Sequence, residues 1–386
     1  MNIEEDFLSR VKKVIGNKKL PLHEPFLDHH DKVHINECID EGYVSSIGRF
    51  VNKFERDLEN FTSIKNAVCV VNGTSALHAI LNSAGVGIND EVLVPAISFI
   101  ATANAIKYCG AQPNFVDVDE NNMNICPEKL DRYLKNICLI MGDKTINKIT
   151  GRTISAIVVV HVFGRPVELK KIIEIANYYN IKIIEDAAAA LGSYSRGSHV
   201  CSDSFAGFVS FNGNKIITTG GGGAILTNCD KLTAKLRHLT TTAKLKHPWK
   251  FIHDEVGFNY RMPNLNAALG CSQIAKLPKI LLKKKSLALS YQSIFKNCEY
   301  GNVLEDDKLN IGNNWLINFS LKKEFQGYRD RILETLNSNG ISCRPIWEPI
   351  HHQSPYLDCQ KDLLESTENN YSRFISLPSS ANTLDA

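Results

Sequence analysis

Short runs of apolar residues alternate with helical patterns between about residue 60 and residue 230. The apolar runs include AVCVV at 67–71, ISAIVVVHV at 154–162 and IKIIEDAAA at 181–189. Strands that are apolar on both faces and separated by helices are typical of a mostly parallel sheet with helices on both sides. The pattern predicts an α/β fold, and in such sheets ligands bind beyond the carboxyl ends of the strands.

The pattern changes after about residue 260, where helical periodicity dominates. NLNAALGCSQIAKL is typical of a helix, and a shorter mixed region containing WLINFSL and ISCRPIW follows it. A chain of 386 residues is also longer than one hydrophobic core usually organises. We expect a large α/β domain with an N-terminal arm over residues 1–260, and a smaller C-terminal α+β domain over residues 261–386.

The composition is that of an ordinary globular protein, with 44% hydrophobic and 22% charged residues. A net charge of +3 is too small to indicate nucleic-acid binding. No apolar run approaches the roughly 20 residues that span a bilayer, and the charged N-terminus lacks the apolar core of a secretory signal. The eleven cysteines include no C-x-x-C pair, so we expect reduced packing residues of a cytoplasmic protein and no metal site.

The segment VVNGTSALHA at 70–79 predicts a strand, a turn and the start of a helix. The free backbone N–H groups and the dipole of a helix N-terminus form a site for an anion such as phosphate. Gly73 would allow the turn, and the hydroxyls of Thr74 and Ser75 would add two donors. Simple capping of the helix by one of these hydroxyls is the alternative.

The segment KIIEDAAAALGS places two carboxylates at the end of an apolar strand. Glu185 and Asp186 are adjacent, so on a strand they face opposite sides and only one is expected to face a ligand. A buried aspartate that caps the following helix is the alternative.

The segment FNGNKIITTGGGGAIL at 211–226 places Lys215 before four consecutive glycines. A phosphate-binding P-loop has the opposite order, with the glycines before the lysine and a helix after it. A lysine in a desolvated turn can instead become a nucleophile, because burial lowers its pKa. A solvated surface lysine is the alternative. We expect the glycines to let the backbone pack closely beside the site.

Taken in chain order, these three motifs match the needs of one cofactor. Pyridoxal 5'-phosphate needs a site for its phosphate, a carboxylate at its ring nitrogen and a lysine for its aldehyde. The chain offers Thr74 and Ser75, then Asp186, then Lys215.

The sequence resembles the sugar aminotransferases of the DegT/DnrJ/EryC1/StrS family, a branch of the fold-type I pyridoxal phosphate enzymes, over nearly the whole chain. Seven collinear motifs carry the resemblance: PLHEPFLDHHDKVHINECIDEGYVSSIGRFVNKFE, NGTSALHAIL, EVLVPAISFIATANAI, IIEDAAAALGS, SFNGNKIITTGGGGAILTN, GFNYRMPNLNAALG and CRPIWEPIHHQSPY. Within the family, VSSIGRFV, HVFGRPV and SFNGNKIITTGGGG are most similar to enzymes that aminate the 4-keto carbon of UDP-2-acetamido-4-keto-6-deoxyhexoses in bacillosamine- and legionaminic-type pathways.

The resemblance implies a role for each residue that matches a family motif. Lys215 would bond to the aldehyde of the cofactor and later carry a proton, and Asp186 would pair with the ring nitrogen. Phe99 would stack on the ring. Four residues would hold the phosphate: Gly73, Thr74, Ser75 and Ser210. Family members often have Gln, His or Glu three residues after the aspartate, whereas this chain has Ala189.

The resemblance also implies contacts with a second subunit and with the substrate. Asn259 would reach the phosphate of the neighbouring subunit's cofactor, which implies a homodimer with shared active sites. Arg261 and Arg344 are candidates for a substrate diphosphate or carboxylate, and a surface salt bridge is the alternative for each. His351 and His352 would line the sugar pocket; as an adjacent pair they are weak metal candidates.

The resulting expectation is an aminotransferase that moves an amino group from L-glutamate to the 4-keto carbon of a nucleotide-linked 4-keto-6-deoxy sugar. The resemblance favours a UDP-2-acetamido sugar and bacterial surface glycan biosynthesis. A dTDP- or GDP-linked keto sugar is the alternative substrate. A different class, a non-catalytic regulator that binds the cofactor, is disfavoured because Lys215 and Asp186 are both present.

Overall fold

The computed structural model describes residues 2–385, so Met1 and Ala386 of the predicted domains lie outside the described residues. The α-helices are α1 Ile3–Ile15, α2 His29–Asp40, α3 Arg49–Thr62, α4 Gly73–Ala84, α5 Ala101–Tyr108, α6 Pro127–Ile137, α7 Leu169–Tyr178, α8 Asp230–Thr240, α9 Asn264–Phe295, α10 Arg329–Ser338 and α11 Glu365–Tyr371. Short 3-10 helices lie at Val162–Gly164, Lys323–Tyr328, Ile350–His352 and Ser354–Tyr356.

The β-strands follow the same chain order. They are β1 Asn66–Val70, β2 Asp90–Pro95, β3 Gln112–Val116, β4 Cys138–Met141, β5 Lys144–Asn147, β6 Thr153–Val160, β7 Lys182–Asp186, β8 Tyr194–Ser195, β9 Ser198–His199, β10 Ala206–Ser210, β11 Gly223–Thr227, β12 Gly301–Val303, β13 Asn310–Ile311, β14 Ile317–Leu321, β15 Arg344–Pro345 and β16 Phe374–Leu377.

The largest sheet has the strand order β1-β11-β10-β7-β6-β2-β3. Only β11 runs against its neighbours in this row, since it pairs antiparallel with both β1 and β10. The other pairs are parallel, and the β4–β5 hairpin extends the sheet from β6. The predicted α/β fold with a mostly parallel sheet is therefore confirmed.

Strand β6 shows how the sequence pattern covers both faces of this sheet. Ile157 and Val159 pack into the core beneath α6 and α7. Ala156 and Val158 point the other way, into the core that contains residues of α3, α4, α5 and α9. Successive side chains on a strand alternate between faces, so a strand covered on both sides must be apolar at every position.

A second, smaller core lies around the four-stranded sheet β12-β14-β16-β15. The long helix α9 contributes its first half to the main core and Leu287, Tyr291 and Phe295 to the smaller one. Helix α1 also packs here, where the Phe7 ring lies 4.9 Å from the Phe319 ring in an edge-on contact. The division of the chain at residue 260 stays a prediction, and the packing groups α1 with C-terminal residues.

Between residues 2 and 385, none of the helices has both the length and the apolar character that crossing a membrane would demand.

Candidate active site

One cavity of about 330 Å³ lies at the carboxyl ends of the parallel strands. Strand β7 ends there at Asp186, β10 ends at Ser210, and α4 begins there just after β1. Six residues singled out in the sequence line this cavity: Gly73, Thr74, Phe99, Asp186, Ser210 and Lys215. The fold thus gathers motifs that are far apart in the chain, because parallel strands bring their carboxyl ends to one edge.

The first turn of α4 forms one wall of the cavity. Asn72 is the N-cap residue, and its Oδ1 accepts a hydrogen bond of 2.8 Å from the Ser75 backbone N–H. The alternative of capping by Thr74 or Ser75 is therefore wrong, and Thr74 is one of the residues that line the cavity. The N–H groups of the first turn have no acceptor within the helix, so they can serve a bound phosphate.

A glycine of the four-residue run makes this wall possible. Gly223 begins β11 and lies opposite Val70 on one side and Ser210 on the other. A Cβ atom at this position would lie 2.7 Å from the Asn72 carbonyl carbon and 2.8 Å from the Gly73 nitrogen. The backbone of β11 can pass the start of α4 only without a side chain, as the sequence analysis expected of the glycines.

Asp186 is buried, with 6% of its surface exposed. Its Oδ2 accepts a hydrogen bond of 2.8 Å from the Thr102 hydroxyl, and its Oδ1 accepts one of 3.1 Å from the Ala188 N–H. Burial raises the pKa of Asp186, while these two hydrogen bonds and the charge of Lys215 oppose the rise. A cation in the cavity would favour the charged carboxylate further.

Glu185 faces the opposite side of the sheet, as the alternation along a strand requires. Its Oε2 lies 2.9 Å from Nε2 of His161 and accepts a hydrogen bond from the Cys201 N–H. Burial works against the charge, but the hydrogen bond and charge of His161 hold the pKa of Glu185 below its usual value. Of the two adjacent carboxylates, only Asp186 lines the cavity.

Lys215 follows β10 in a turn closed by a hydrogen bond from its N–H to the Asn212 carbonyl. The residue keeps some accessible surface, yet its amine is enclosed by protein atoms. Burial lowers the pKa of Lys215 to about 8, and the Asp186 carboxylate opposes this shift. An amine with a pKa this close to neutrality can both take up and release a proton.

Trp315, in the segment before β14, covers the amine of Lys215. The Lys215 Nζ lies 4.2 Å from the centroid of the indole ring. The indole N–H donates a hydrogen bond of 2.7 Å to the Asn214 carbonyl, next to Lys215 in the chain. The lysine and the loop that carries it therefore both contact one aromatic side chain.

Asn313 connects this segment to the turn that follows Asp186. Its Nδ2 donates to the carbonyls of Ala189 and Leu191 at 2.8 and 2.9 Å, and its Oδ1 accepts from the Trp315 N–H at 2.8 Å. Ala189 lines the cavity. It contributes a backbone carbonyl to this network at the position where family members often carry a polar side chain.

A row of aromatic rings extends from Trp315 along the cavity. Phe163 lies between Trp315 and Trp347, at centroid distances of 6.3 and 4.5 Å. Phe99 follows at 6.3 Å from Trp347 and is 58% exposed. Phe163 has φ of 55° and ψ of 22°, a left-handed conformation that costs a non-glycine residue free energy. The stacking of Phe99 on a cofactor ring stays a prediction.

His161 is a cavity residue that the sequence analysis did not single out. It directly follows β6, and its Nδ1 accepts a hydrogen bond of 3.0 Å from the Val167 N–H. A neutral ring then carries its proton on Nε2, which donates to Glu185. Ligands bind beyond the carboxyl ends of parallel strands, and this principle, which pointed to Asp186, points to His161 as well. Trp315 and Trp347 gave no comparable local signal, because they reach the cavity from distant parts of the chain.

Four predicted residues do not line this cavity: Ser75, Asn259, Arg261 and His351. Asn259 is exposed and forms a backbone bridge with Thr241. The Arg261 guanidinium lies 3.9 Å from Glu55, in a largely buried ion pair and not in the surface salt bridge that was the alternative for this residue. Their roles toward a second subunit and the substrate stay predictions.

His351 and His352 both contact one carboxylate of α11. The Nε2 atoms of the two rings lie 2.7 and 2.8 Å from Oε1 of Glu368. The Nδ1 of His352 lies 2.8 Å from Glu348. These hydrogen bonds hold the segment after Trp347 against α11, and the predicted contact of His351 with a sugar stays a prediction.

The residues of the cavity fit pyridoxal 5'-phosphate. The start of α4 offers backbone N–H groups for a phosphate, and the buried Asp186 offers a carboxylate whose charged form a protonated ring nitrogen would stabilise. Lys215 offers an amine with a lowered pKa.

Comparisons with known proteins agree with this fit. The model of the DegT/DnrJ/EryC1/StrS aminotransferase family matches residues 25–386. A GDP-perosamine synthase of Caulobacter vibrioides is 34% identical over 365 residues, which cover 94% of this chain and 93% of that protein. A UDP-4-amino-4,6-dideoxy-N-acetyl-beta-L-altrosamine transaminase of Campylobacter jejuni is 31% identical, covering 86% of this chain and 85% of that one.

Among solved structures, Helicobacter pylori PseC, an aminotransferase involved in the biosynthesis of pseudoaminic acid, superimposes with a TM-score of 0.85. The two sequences are 29% identical, and the match covers 95% of each chain. The chain therefore belongs to the DegT/DnrJ/EryC1/StrS family of sugar aminotransferases, whose cofactor is pyridoxal 5'-phosphate.

Proposed function

We propose that this chain transfers an amino group from L-glutamate to the 4-keto carbon of a nucleotide-linked 4-keto-6-deoxy sugar. The observation that carries the proposal is the meeting of Lys215 and Asp186 in one cavity at the start of α4. A regulator that only binds the cofactor could keep the fold without the lysine or the aspartate, and this chain has both.

Hydrogen bonds fix the Asp186 carboxylate in a position where it could pair with a positively charged group. When bound, pyridoxal phosphate supplies an electron sink that makes the hydrogen on the amino-bearing carbon acidic, provided that its ring nitrogen stays protonated. The Thr102 and Ala188 hydrogen bonds orient both oxygens of Asp186. A carboxylate fixed in this way keeps a neighbouring ring nitrogen protonated, because the two charges stabilise each other in a buried site.

Lys215 would hold the cofactor covalently and, once released, move the proton. A base works best when its pKa is near the ambient pH, and burial lowers the pKa of Lys215 to about 8. The first N–H groups of α4, with the hydroxyls of Thr74 and Ser210, would hold the phosphate. Ser75 would contribute through the same helix terminus.

A second cavity of about 430 Å³ adjoins the first and offers room for the substrate. The two cavities share Asn214, Trp315 and Trp347, and the second also contains His23 and Arg344. Arg344 is exposed, and its Nη1 donates to Oδ1 of Asn337 and to the Cys343 carbonyl, each at 3.2 Å. An arginine in this setting suits the carboxylate of glutamate or a diphosphate, which it can bind with two parallel hydrogen bonds.

Two observations favour different nucleotides. The motifs VSSIGRFV, HVFGRPV and SFNGNKIITTGGGG favour a UDP-2-acetamido-4-keto-6-deoxyhexose, and a relative is a transaminase of a UDP-linked amino sugar. Three relatives that are 34%, 32% and 32% identical are GDP-perosamine synthases. We keep the UDP sugar as the first candidate and a GDP-linked sugar as the second, and we place the product in bacterial surface glycan synthesis.

A homodimer with shared active sites forms part of the proposal. Asn259 is exposed at the end of a segment whose large apolar side chains are open to solvent: Trp249, Phe251 and Val256 are 77%, 81% and 87% exposed. Apolar surface of this kind marks a protein interface more often than free surface. A second copy covering it would bring Asn259 toward the partner's cavity.

The test combines the protein loaded with pyridoxal phosphate, L-glutamate and a panel of UDP-, GDP- and dTDP-linked 4-keto-6-deoxy sugars. Products are identified by mass spectrometry, and the position of the new amine by NMR. We expect amination at C4 of one nucleotide class and none with Lys215→Ala. Amination of only the GDP sugar would replace the first candidate by the second, and rejection of every 4-keto sugar would refute the proposal.

A further inference from the structure

The contact between Trp315 and Lys215 has the geometry of a cation–π pair. The distance of 4.2 Å from Nζ to the ring centroid lies well inside the roughly 6 Å range of such contacts. Trp315 is 4% exposed, so little water competes for the face of the ring. The attraction exists only while the amine carries its proton, which links this contact to the charge state of Lys215.

Trp315 is held in place from several sides. Its indole N–H donates to Asn214, and its backbone N–H donates to Asn313. Its carbonyl accepts a hydrogen bond of 3.2 Å from Nζ of Lys284, a fully buried side chain of α9. The indole cannot turn away from Lys215 without breaking the bond to Asn214.

Few other charged groups face the Lys215 amine. Asp186 is the carboxylate that acts on it, and burial opposes the charge of the amine. His23 lines the second cavity, where burial and the charges of Lys284 and Lys215 hold its pKa well below the usual value, so it is neutral near pH 7. His161 lines the same cavity, with its Nε2 directed at Glu185.

We propose that Trp315 is a positioning residue, which holds the protonated amine of Lys215 with its ring face and the Lys215 loop with its indole N–H. The inference rests on the proposed role of Lys215 as the group that moves the proton. An aromatic face can attract the ammonium without offering a basic atom that competes for its proton. Trp315 thereby holds the amine at one place in the cavity while it carries its proton, and this attraction ends when the proton leaves.

The test measures the pKa of Lys215 directly in the cofactor-free protein. The rate of Lys215 acetylation by a low concentration of acetic anhydride is followed between pH 6 and 10, with site-resolved mass spectrometry. Trp315→Leu removes the π face but leaves an apolar side chain that keeps the amine dry. We expect a pKa lower than that of the wild type by about 0.5–1.5 units, which spans the range from an exposed to a desolvated cation–π pair.

Two further variants separate the parts of the proposal. Trp315→Phe keeps a ring face and removes the N–H, so we expect a pKa near that of the wild type but faster acetylation, because the loop is no longer tied. Tyr178→Phe changes an aromatic side chain of α7 that is 68% exposed and lines neither cavity, and it should leave both the pKa and the acetylation rate unchanged. If Trp315→Leu does not fold by circular dichroism, Trp315→Met takes its place.

A Lys215 pKa in Trp315→Leu that equals or exceeds the wild-type value overturns the proposal, since the indole would then act only as a cover. In the loaded enzyme with its accepted sugar, Trp315→Leu should lower kcat. The acetylation result stands even when no sugar is turned over, so failure of this inference and failure of the proposed function are distinguishable.

Discussion

The hydrogen bond from Thr102 to Asp186 gives a sharp test of how the site controls its carboxylate. Thr102 is 3% exposed, and its hydroxyl donates to Oδ2 of Asp186 at 2.8 Å. Thr102→Val has nearly the same shape and removes this donor, together with the contact of 2.8 Å between the Thr102 and Ser98 hydroxyls. Because water has little access to the position, nothing replaces the lost hydrogen bond.

The size of the effect follows from the charge of the acceptor. A hydrogen bond to an ionised group contributes about 1.5–3 kcal/mol, and one pKa unit corresponds to about 1.4 kcal/mol. Burial already raises the pKa of Asp186, and the Thr102 hydrogen bond opposes that rise. We therefore expect Thr102→Val to raise this pKa further, by about 1–2 units.

The assay is the affinity for pyridoxal phosphate as a function of pH, measured by quenching of tryptophan fluorescence. A protonated Asp186 cannot pair with a protonated ring nitrogen, so affinity falls as the pH drops through the pKa of this carboxyl. In Thr102→Val, the fall should occur about 1–2 pH units higher than in the wild type. The acid limb of kcat should move in the same direction.

Two control variants make the result interpretable. Thr102→Ser keeps a hydroxyl and should restore most of the wild-type pH profile. Thr145→Val removes a buried hydroxyl that donates to the Tyr179 carbonyl, so it should lower stability without moving the acid limb. An acid limb at the same pH in Thr102→Val and wild type would refute the reasoning about Asp186.

Three further predictions concern the scaffold of the site. Burial lowers the pKa of Lys284 to about 7, so between pH 7 and about 10 the unfolded chain binds a proton that the folded chain lacks, and the free energy of unfolding rises with pH. In Lys284→Met, this free energy, measured by urea titration, should rise less between pH 7 and pH 9 than in the wild type. An equal rise in the two proteins would contradict the prediction. Asn72→Ala should lower that free energy by about 1 kcal/mol through loss of the α4 cap, whereas Asn72→Asp should keep it. Gly223→Ala should lower the free energy of unfolding by about 1–3 kcal/mol, because the new Cβ atom would collide with the Asn72 backbone. A thermal midpoint equal to that of the wild type would show that α4 can shift to make room for the methyl group.

The sequence predicted the main sheet well, because its strands are apolar on both faces and short. Runs such as IVVV in β6 leave few alternatives to a buried strand. Packing of α1 was not predictable in this way. The apolar face of α1, with Phe7, Val11 and Ile15, predicts a helix that packs on a hydrophobic core, but it does not indicate which of the cores it packs on.

The same contrast holds for the site. Asp186 and Lys215 were found because they follow strands or strand-like segments, where ligands bind in α/β sheets. Trp315 was missed because its contact with Asn214 spans 101 positions of the chain, and no local pattern encodes such a distance. Arg261 was singled out by residue type and motif alone, and the packing gives it a different neighbour, Glu55.

The packing of α1 into the smaller core has a consequence for how the protein is made. The Tyr300 hydroxyl donates to Asp6, a residue 294 positions earlier in the chain. At synthesis rates of about 5–20 residues per second, α1 is made roughly 15–60 seconds before its partners exist. During that interval, its apolar face is open to chaperones and to neighbouring nascent chains. Helix α1 can therefore reach its place in the smaller core only after residues near the C-terminal end of the chain have been made.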